Sequence, residues 1–493
     1  MYSIGFDIGS SSVKAALVEK DTGKVISVVK KPDDEMTIKS LNNGWAEQDP
    51  FLWWEYVCQS SKELIKKTGA NPNDILTIGI AYQMHGLVIV DENLKPLRDS
   101  IIWCDSRAVE IGEKAFNELG ESHCKEYLYN SPANFTASKL KWVMENEPEI
   151  YKKIYKFMLP GDFIALMFSG TIQSTPSGLS EGILWDFKNQ SIANSVLEKY
   201  KISNKLVPEI VPTFSIQALV NQNGAESSGL AVGTKITYRA GDQPNNALAL
   251  AVLNPGQVAA TGGTSGVVYG VTKSKDIKEM TRINSFAHVT YNNNNQILGK
   301  LLNINGAGIQ YSWLKKILRI DSYELMNEMS EEIPIGSDNL QVFPFGNGSE
   351  RIFENKILDS NFKNINFNIH SPGHMCRATL EGIAFSFNYG IDILKNDGLE
   401  INVLKVGNDN LFKSKVFTKT LACLIDSPIE RYNTTGAVGS ARASSVDENS
   451  INDLSDKISN QDFVDSTISE NRDLYLKAYI DWKKNLEILI KNK

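Results

Sequence analysis

Apolar and small residues alternate from Tyr2 to Glu19 on both sides of Asp7-Ile8-Gly9-Ser10-Ser11-Ser12. A period of two broken by a Gly/Ser turn predicts strand, tight turn, strand. A polar loop follows over residues 31–35, and Asp49-Pro50 opens an amphipathic run over 51–67, with Asp49 as N-cap and Pro50 at the first helical position. The apolar run 75–81 predicts a buried strand. Helical spacing returns over 137–145, Leu159-Pro160-Gly161-Asp162 reads as a turn ahead of the apolar stretch 163–168, and residues 170–235 are loop-rich.

A strand over 236–240 then ends in Gly241-Asp242-Gln243-Pro244, ahead of a helix over 245–252 rich in small residues. The segment 258–269 repeats the opening hairpin about half a chain later, around Gly262-Gly263-Thr264-Ser265-Gly266. Two copies of one hairpin, each opening a half, suggest two related α/β domains with a boundary near 245–258, residues 1–250 and 251–493; coincidence between two Gly-rich turns is the alternative. Helices are expected over 306–317, 372–394, 413–424 and 470–490. In the last of these Tyr475, Tyr479, Trp482 and Leu486 form a core-facing stripe, whereas residues 445–465, polar and acidic, read as a surface connection.

Composition narrows the class. The 493 residues carry 51 Lys and Arg against 58 Asp and Glu, a net charge of −7, with 42% hydrophobic residues. That balance excludes a disordered chain. No Lys/Arg block supplies a phosphate-neutralising stripe, so no nucleic-acid partner is expected. No apolar run reaches the roughly 18 residues of a membrane span, and the start Met1-Tyr2-Ser3-Ile4-Gly5 lacks a signal-peptide pattern, which predicts a cytoplasmic location without a membrane partner. Five scattered cysteines without a CxxC pair indicate neither a disulfide framework nor a zinc site.

Each Gly/Ser/Thr turn gathers backbone amides and hydroxyls in one concavity, the local chemistry that holds phosphate oxygens. In the first, Asp7 stands beside Gly9, Ser10, Ser11 and Ser12, with Lys14 shortly after; a carboxylate next to a phosphate cradle calls for Mg²⁺ between them. The second offers Gly262, Gly263, Thr264 and Ser265. Asp242, at a strand end, suits either a general base or a helix cap. His85, in Gln83-Met84-His85-Gly86, suits either a polyhydroxylated ligand or a turn. Trp103, Asp105 and Arg107 alternate as on one face of a strand, an aromatic plate beside a carboxylate and a guanidinium.

The ordered set of these motifs, with Trp45-Ala46-Glu47-Gln48-Asp49-Pro50, Leu159-Pro160-Gly161-Asp162-Phe163 and Leu380-Glu381-Gly382-Ile383-Ala384, resembles the FGGY family of carbohydrate kinases over nearly the whole chain. Gln83-Met84-His85-Gly86 points to its xylulokinase branch. The resemblance implies two ribonuclease-H-like domains of the actin, hexokinase and Hsp70 type with the active site in the cleft between them, and transfer of phosphate from ATP, with Mg²⁺, to the terminal hydroxyl of a ketopentose, D-xylulose first. It implies Asp242 as catalytic base, Asp7 and Asp242 beside the metal, and Met84, His85, Trp103, Asp105, Asp242 and Gln243 around the sugar. It places nucleotide on residues 9–12 with Lys14, on 262–265, on Gly306 and Gln310, and on Gly407, Asn408 and Asn410. The family's common homodimer is the candidate assembly. Three departures stand out: Val406-Gly407-Asn408-Asp409-Asn410 replaces the glycine-rich adenosine motif, Gln243-Pro244, nearer to the glycerol kinase pattern, replaces the Asn and Ala of typical xylulokinases, and Gly348-Ser349-Glu350-Arg351-Ile352 stands for the usual Gly-Glu-Arg-Thr-Pro segment. The alternatives are a family member acting on gluconate, glycerol, ribulose or another ketose, and an actin- or Hsp70-like ATPase or sugar sensor.

Overall fold

The computed structural model describes residues 1–447, 450–468 and 470–493 and divides into two compact units. The first takes residues 1–253, 285–298 and 434–461; the second takes 254–284, 299–433 and 462–493. The main division thus falls after Leu253, and two later segments rejoin the first unit, which a contiguous split into 1–250 and 251–493 leaves out.

The first unit is built on a six-stranded sheet of β1 (Tyr2–Ile8), β2 (Val13–Glu19), β3 (Val25–Lys31), β4 (Ile75–Tyr82), β5 (Phe214–Leu219) and β6 (Lys235–Gly241), in the order β5-β6-β4-β1-β2-β3. The first three strands form an antiparallel meander, and β1, β4 and β6 run parallel. Strands β1 and β4 are buried on both faces, as parallel strands covered by helices are. One face packs on the helices Pro50–Thr68 and Pro160–Ser169, with Trp53, Val57, Leu64, Phe163 and Phe168 in one core. The Asp49 carboxylate caps the first of these, accepting from the Phe51 amide at 2.9 Å.

The other face carries the helix Gly436–Ala443, which sequence periodicity does not announce. Its residues Ala437, Val438 and Ala441 pack on Ala16 and Val18, and a methyl group on Gly5 or Gly79 would overlap its main-chain atoms. Ser440 Oγ donates to Phe6 O at 3.0 Å, and Thr237 Oγ1 to Ser444 O at 2.7 Å. Only small side chains let a helix lie this close to a sheet.

In the second unit β7 (Gln257–Gly262), β8 (Gly266–Thr272), β9 (Leu298–Ile304), β10 (Val403–Gly407), β11 (Ile429–Tyr432) and β12 (Phe463–Thr467) lie in the order β9-β8-β7-β10-β11-β12. Strands β7 and β8 form the second hairpin, and β7, β10 and β11 run parallel. The succession β9-β8-β7-β10-β11 repeats β3-β2-β1-β4-β6, so the duplicated hairpin does open two copies of one α/β topology. The helices Pro372–Asn396, Lys415–Ile425 and Arg472–Lys491 share its core, where Tyr475, Tyr479, Trp482 and Leu486 are buried.

Four local expectations change. Leu159–Asp162 is not a free turn: Pro160 is the first residue of a helix, and Asp162 accepts from the Leu159 amide at 3.2 Å. The helix expected from 245 starts at Asp242, because Gly241 ends its strand one residue earlier. The expected strand around Trp103 stops at Ile101, and a turn follows. The acidic stretch 445–465, of which residues 448 and 449 lie outside the described residues, forms a helix Ile451–Asp462, with Leu454 and Ile458 buried, and then β12. Among the described residues no helix is long and apolar enough to cross a membrane.

Candidate active site

Strand register sets the site. Gly241 pairs with Tyr82, and Tyr82 with Ile8, so three adjacent parallel strands end in one row. The loops that leave this row carry Gly9–Ser12, Gln83–Gly86 and Asp242–Gln243. Residues distant in sequence are thereby gathered at the carboxyl edge of the sheet, where α/β proteins bind ligands.

Asp7 is the next-to-last residue of β1, and burial raises its carboxyl above the usual range, opposed by the nearby Lys14, its partner across the hairpin. Asp242 opens the helix Asp242–Ala249; burial, and then the charge of Asp7, push it up to about 7, while its own amide and that of Gln243 oppose the shift. A carboxylate so poised suits proton transfer near neutral pH. Gly436 faces Asp7: a methyl group there would lie 2.5 Å from Asp7 Oδ2 and 2.9 Å from Asn246 Oδ1. The first loop is closed by Gly9 N donating to Ser12 O at 3.0 Å and is tied down by Gln48 Nε2 donating to Ser10 O at 2.6 Å.

Met84 is buried, and His85 follows it in the left-handed region, φ 62°. A non-glycine residue there is uncommon and needs the surrounding structure to hold it. His85 Nδ1 lies 2.8 Å from Glu181 O, and since a carbonyl only accepts, Nδ1 carries the proton. The ring packs edge-on to Phe135, with centroids 4.6 Å apart. Glu181 is buried below Gly241 with the Tyr82 hydroxyl beside it; burial, then the Tyr82 bond acting in opposition and the charge of Asp242, leave its carboxyl well above the usual range.

Trp103 is 53% exposed and its Nε1 donates to Ser10 Oγ at 3.3 Å, which brings it to the first loop. Asp105 differs: it is fully buried, accepting from Ala46 N at 2.6 Å and from Arg107 Nη2 at 2.7 Å. Arg107 in turn pairs with Glu47 at 2.6 Å and stacks 3.9 Å over the Trp45 ring. With its oxygens so occupied, Asp105 braces the turn that presents Trp103. The three residues do not share a strand face.

In the second unit Gly262, Gly263 and Thr264 line a cavity of about 390 Å³ together with Gly308, Ile309, Tyr311, Ser312, Asn410 and Lys413. That is the range of small-ligand pockets. The amides of Gly308 and Ile309 donate to Gly263 O and Thr264 O, both at 3.0 Å, so the loop is stitched to the start of the helix Gly308–Leu318. A methyl group on Gly308 would overlap Gly263 O. Both amides, and that of Gln310, which donates to Ala307 O at 3.0 Å, are thereby engaged within the protein. Gly306, Gln310, Gly407 and Asn408 are not in the lining: the Gly306 amide donates to Glu350 at 2.6 Å, Gln310 Oε1 accepts from Ser360 at 2.9 Å, and Asn408 bonds Asn433 at 3.1 Å. Tyr311, Ser312 and Lys413 were not singled out from sequence; the helical repeat from Gly308 brings Tyr311 and Ser312 onto the same side as the loop.

Comparison with known proteins places this geometry. The model of the FGGY family of carbohydrate kinases, N-terminal domain, matches residues 2–249. The chain belongs to the FGGY family of carbohydrate kinases. It is 27% identical over 409 residues to a xylulose kinase of Staphylococcus xylosus, covering 82% of each chain. Its fold matches the xylulose kinase from Rhodospirillum rubrum at a TM-score of 0.88 with 22% identity, covering 99% of both chains. It also matches the Plasmodium falciparum glycerol kinase with ADP at a TM-score of 0.88 with 21% identity, over 99% of this chain and 98% of that one.

Proposed function

We propose that this carbohydrate kinase transfers the γ-phosphoryl group of ATP to the terminal hydroxyl of D-xylulose, in the cytoplasm. The observation that carries the reading is the row of strand ends that delivers Asp7, Met84-His85 and Asp242 to one place, on a chain similar along most of its length to xylulose kinases. Asp242 accepts the proton of the attacking hydroxyl, for which its raised pKa fits it. His85 and Met84 orient the sugar. The nucleotide lies in the 390 Å³ cavity of the second unit, its phosphates toward the Gly262–Thr264 loop. Five cysteines without a disulfide fit a reducing compartment.

The residues fit Mg²⁺. Asp7 and Asp242 are two carboxylates close enough for the charge of one to raise the other, and Gly436 leaves room beside Asp7 Oδ2. Among the described residues no group of three or more His, Cys, Asp or Glu side chains forms a complete metal cage. One or two carboxylates are what Mg²⁺ takes when phosphate and water supply its other ligands. The ion would neutralise phosphate charge, and positioning rather than a covalent intermediate would account for the rate.

The test is ADP release with Mg-ATP against D-xylulose, D-ribulose, L-ribulose, L-xylulose, gluconate and glycerol. Selective turnover of D-xylulose, lowered about 10²- to 10⁴-fold in Asp242→Asn, is expected. Near-normal turnover in that variant would sink the base assignment, and ADP release indifferent to every sugar would sink the kinase reading. Gln243-Pro244 favours a second reading, glycerol as acceptor, which the same panel separates.

A further inference from the structure

The two segments assigned to the sugar, Met84-His85-Gly86 and Ile102-Trp103, both turn their carbonyls toward the start of one helix, Thr136–Asn146. Lys139 on that helix is fully buried, and its Nζ donates to His85 O at 2.8 Å and to Ile102 O at 2.9 Å. Around it Thr136 Oγ1 donates to Gly86 O at 3.3 Å, and Asn134 Nδ2, just before the helix, donates to Asp105 O. Four main-chain carbonyls, of His85, Gly86, Ile102 and Asp105, are thus held by three side chains within six positions. Leaving a buried carbonyl without a donor is costly, so the amine is needed once both segments have turned inward.

We propose that Lys139 is a positioning residue of the acceptor site, whose amine ties the His85 carbonyl to the Ile102 carbonyl and so fixes where the His85 ring stands relative to Trp103. The left-handed conformation of His85 is what this bond stabilises: with its carbonyl released, the residue relaxes toward ordinary dihedrals and the imidazole swings away. The role belongs to N–H donation and not to charge. A neutral amine keeps two N–H bonds, one for each carbonyl, which suits a lysine whose burial, countered by Asp105, brings it down to about 7.

This inference rests on the kinase reading, and the experiment keeps the two apart. Wild-type protein is first titrated with D-xylulose by calorimetry and assayed for ADP release; absence of any sugar response there defeats the proposed function. With wild type responsive, Lys139→Met, similar in length but without a donor, should raise the KM for sugar about 10- to 100-fold, while the KM for ATP stays within about twofold. In Lys139→Ala, added propylamine should restore sugar affinity. An unchanged sugar KM, or equal rises in both KM values without rescue by the amine, would overturn the assignment. Should both Lys139 variants fail to fold, Thr136→Val, which loses only the donor to Gly86 O, should shift the sugar KM alone and in the same direction; no shift there would also overturn it.

Discussion

Gly436→Ala offers a direct test of whether the late helix shapes the site. The added methyl would lie 2.5 Å from Asp7 Oδ2 and 2.9 Å from Asn246 Oδ1. A carbon–oxygen contact needs about 3.3 Å, so the Asp7 carboxylate must give way by about 0.8 Å. Turning that side chain out of its preferred rotamer costs about 0.5–1.5 kcal/mol. Alanine, in turn, favours a helix over glycine by up to about 1 kcal/mol. The two nearly cancel, and the unfolding midpoint in urea should stay close to that of the wild type. Catalysis has no such offset: displacement of a reacting group by about 1 Å costs on the order of 10²-fold, so kcat should fall by that order in a coupled ADP assay. Gly439→Ala, on the same helix, is the comparator. Its methyl would meet Ala249 Cβ at 2.5 Å, away from Asp7, and should cost stability while sparing kcat. Full kcat in Gly436→Ala at saturating Mg-ATP would refute the placement of Asp7 in the reaction.

Gly308→Ala should raise the KM for ATP at least tenfold, read by initial rates with the sugar saturating, because the methyl drives the helix start away from the Gly263 carbonyl. Lys139 is protonated in the unfolded chain up to about 10.5 and, when folded, only to about 7. Between those values the unfolded state binds more protons, so wild-type stability should rise with pH, by at most about 1.4 kcal/mol per unit. Urea titrations at pH 7 and 8.5 should show that rise in wild type and lose it in Lys139→Met. Arg107→Met should free the Asp105 carboxylate in a buried place and lower the unfolding midpoint, with a cost of about 3–5 kcal/mol.

The hairpins, their duplication and most helices were legible because a period of two and a Gly turn, or an amphipathic stripe, carry their own signal. The helix Gly436–Ala443 was not, since Gly-Ala-Val-Gly-Ser-Ala-Arg-Ala has no apolar stripe; its small residues answer to Gly5 and Gly79 across the sheet. Asp7, His85 and Asp242 were legible as motifs at strand ends. Asp105 looked like a pocket residue in sequence, and only the fold shows Arg107 and the Ala46 amide occupying it. Lys139 carries a signal of its own: with Thr136, Leu140 and Val143 it sits on a buried helical stripe, where a lysine needs a reason. Gly306 precedes the helix Gly308–Leu318 and Gln310 lies in its first turn, yet they bond Glu350 and Ser360 and stay out of the cavity lining, which spacing alone does not show.

The helix Gly436–Ala443 also sets an order of events during synthesis. Ser440 meets Phe6 across 434 positions of chain, and Arg442 donates to the Gly23 carbonyl across 419. A ribosome-bound chain that has emerged only as far as residue 253 therefore has its six strands but not the cover for one sheet face, and the small residues there stay open to water or to other chains. Closure of so long a loop is slow compared with local pairing. The first unit, although it begins to emerge first, is in this way complete only once residue 461 has been made, and a fragment ending near residue 250 should be sticky and loosely folded, whereas the full chain seals itself.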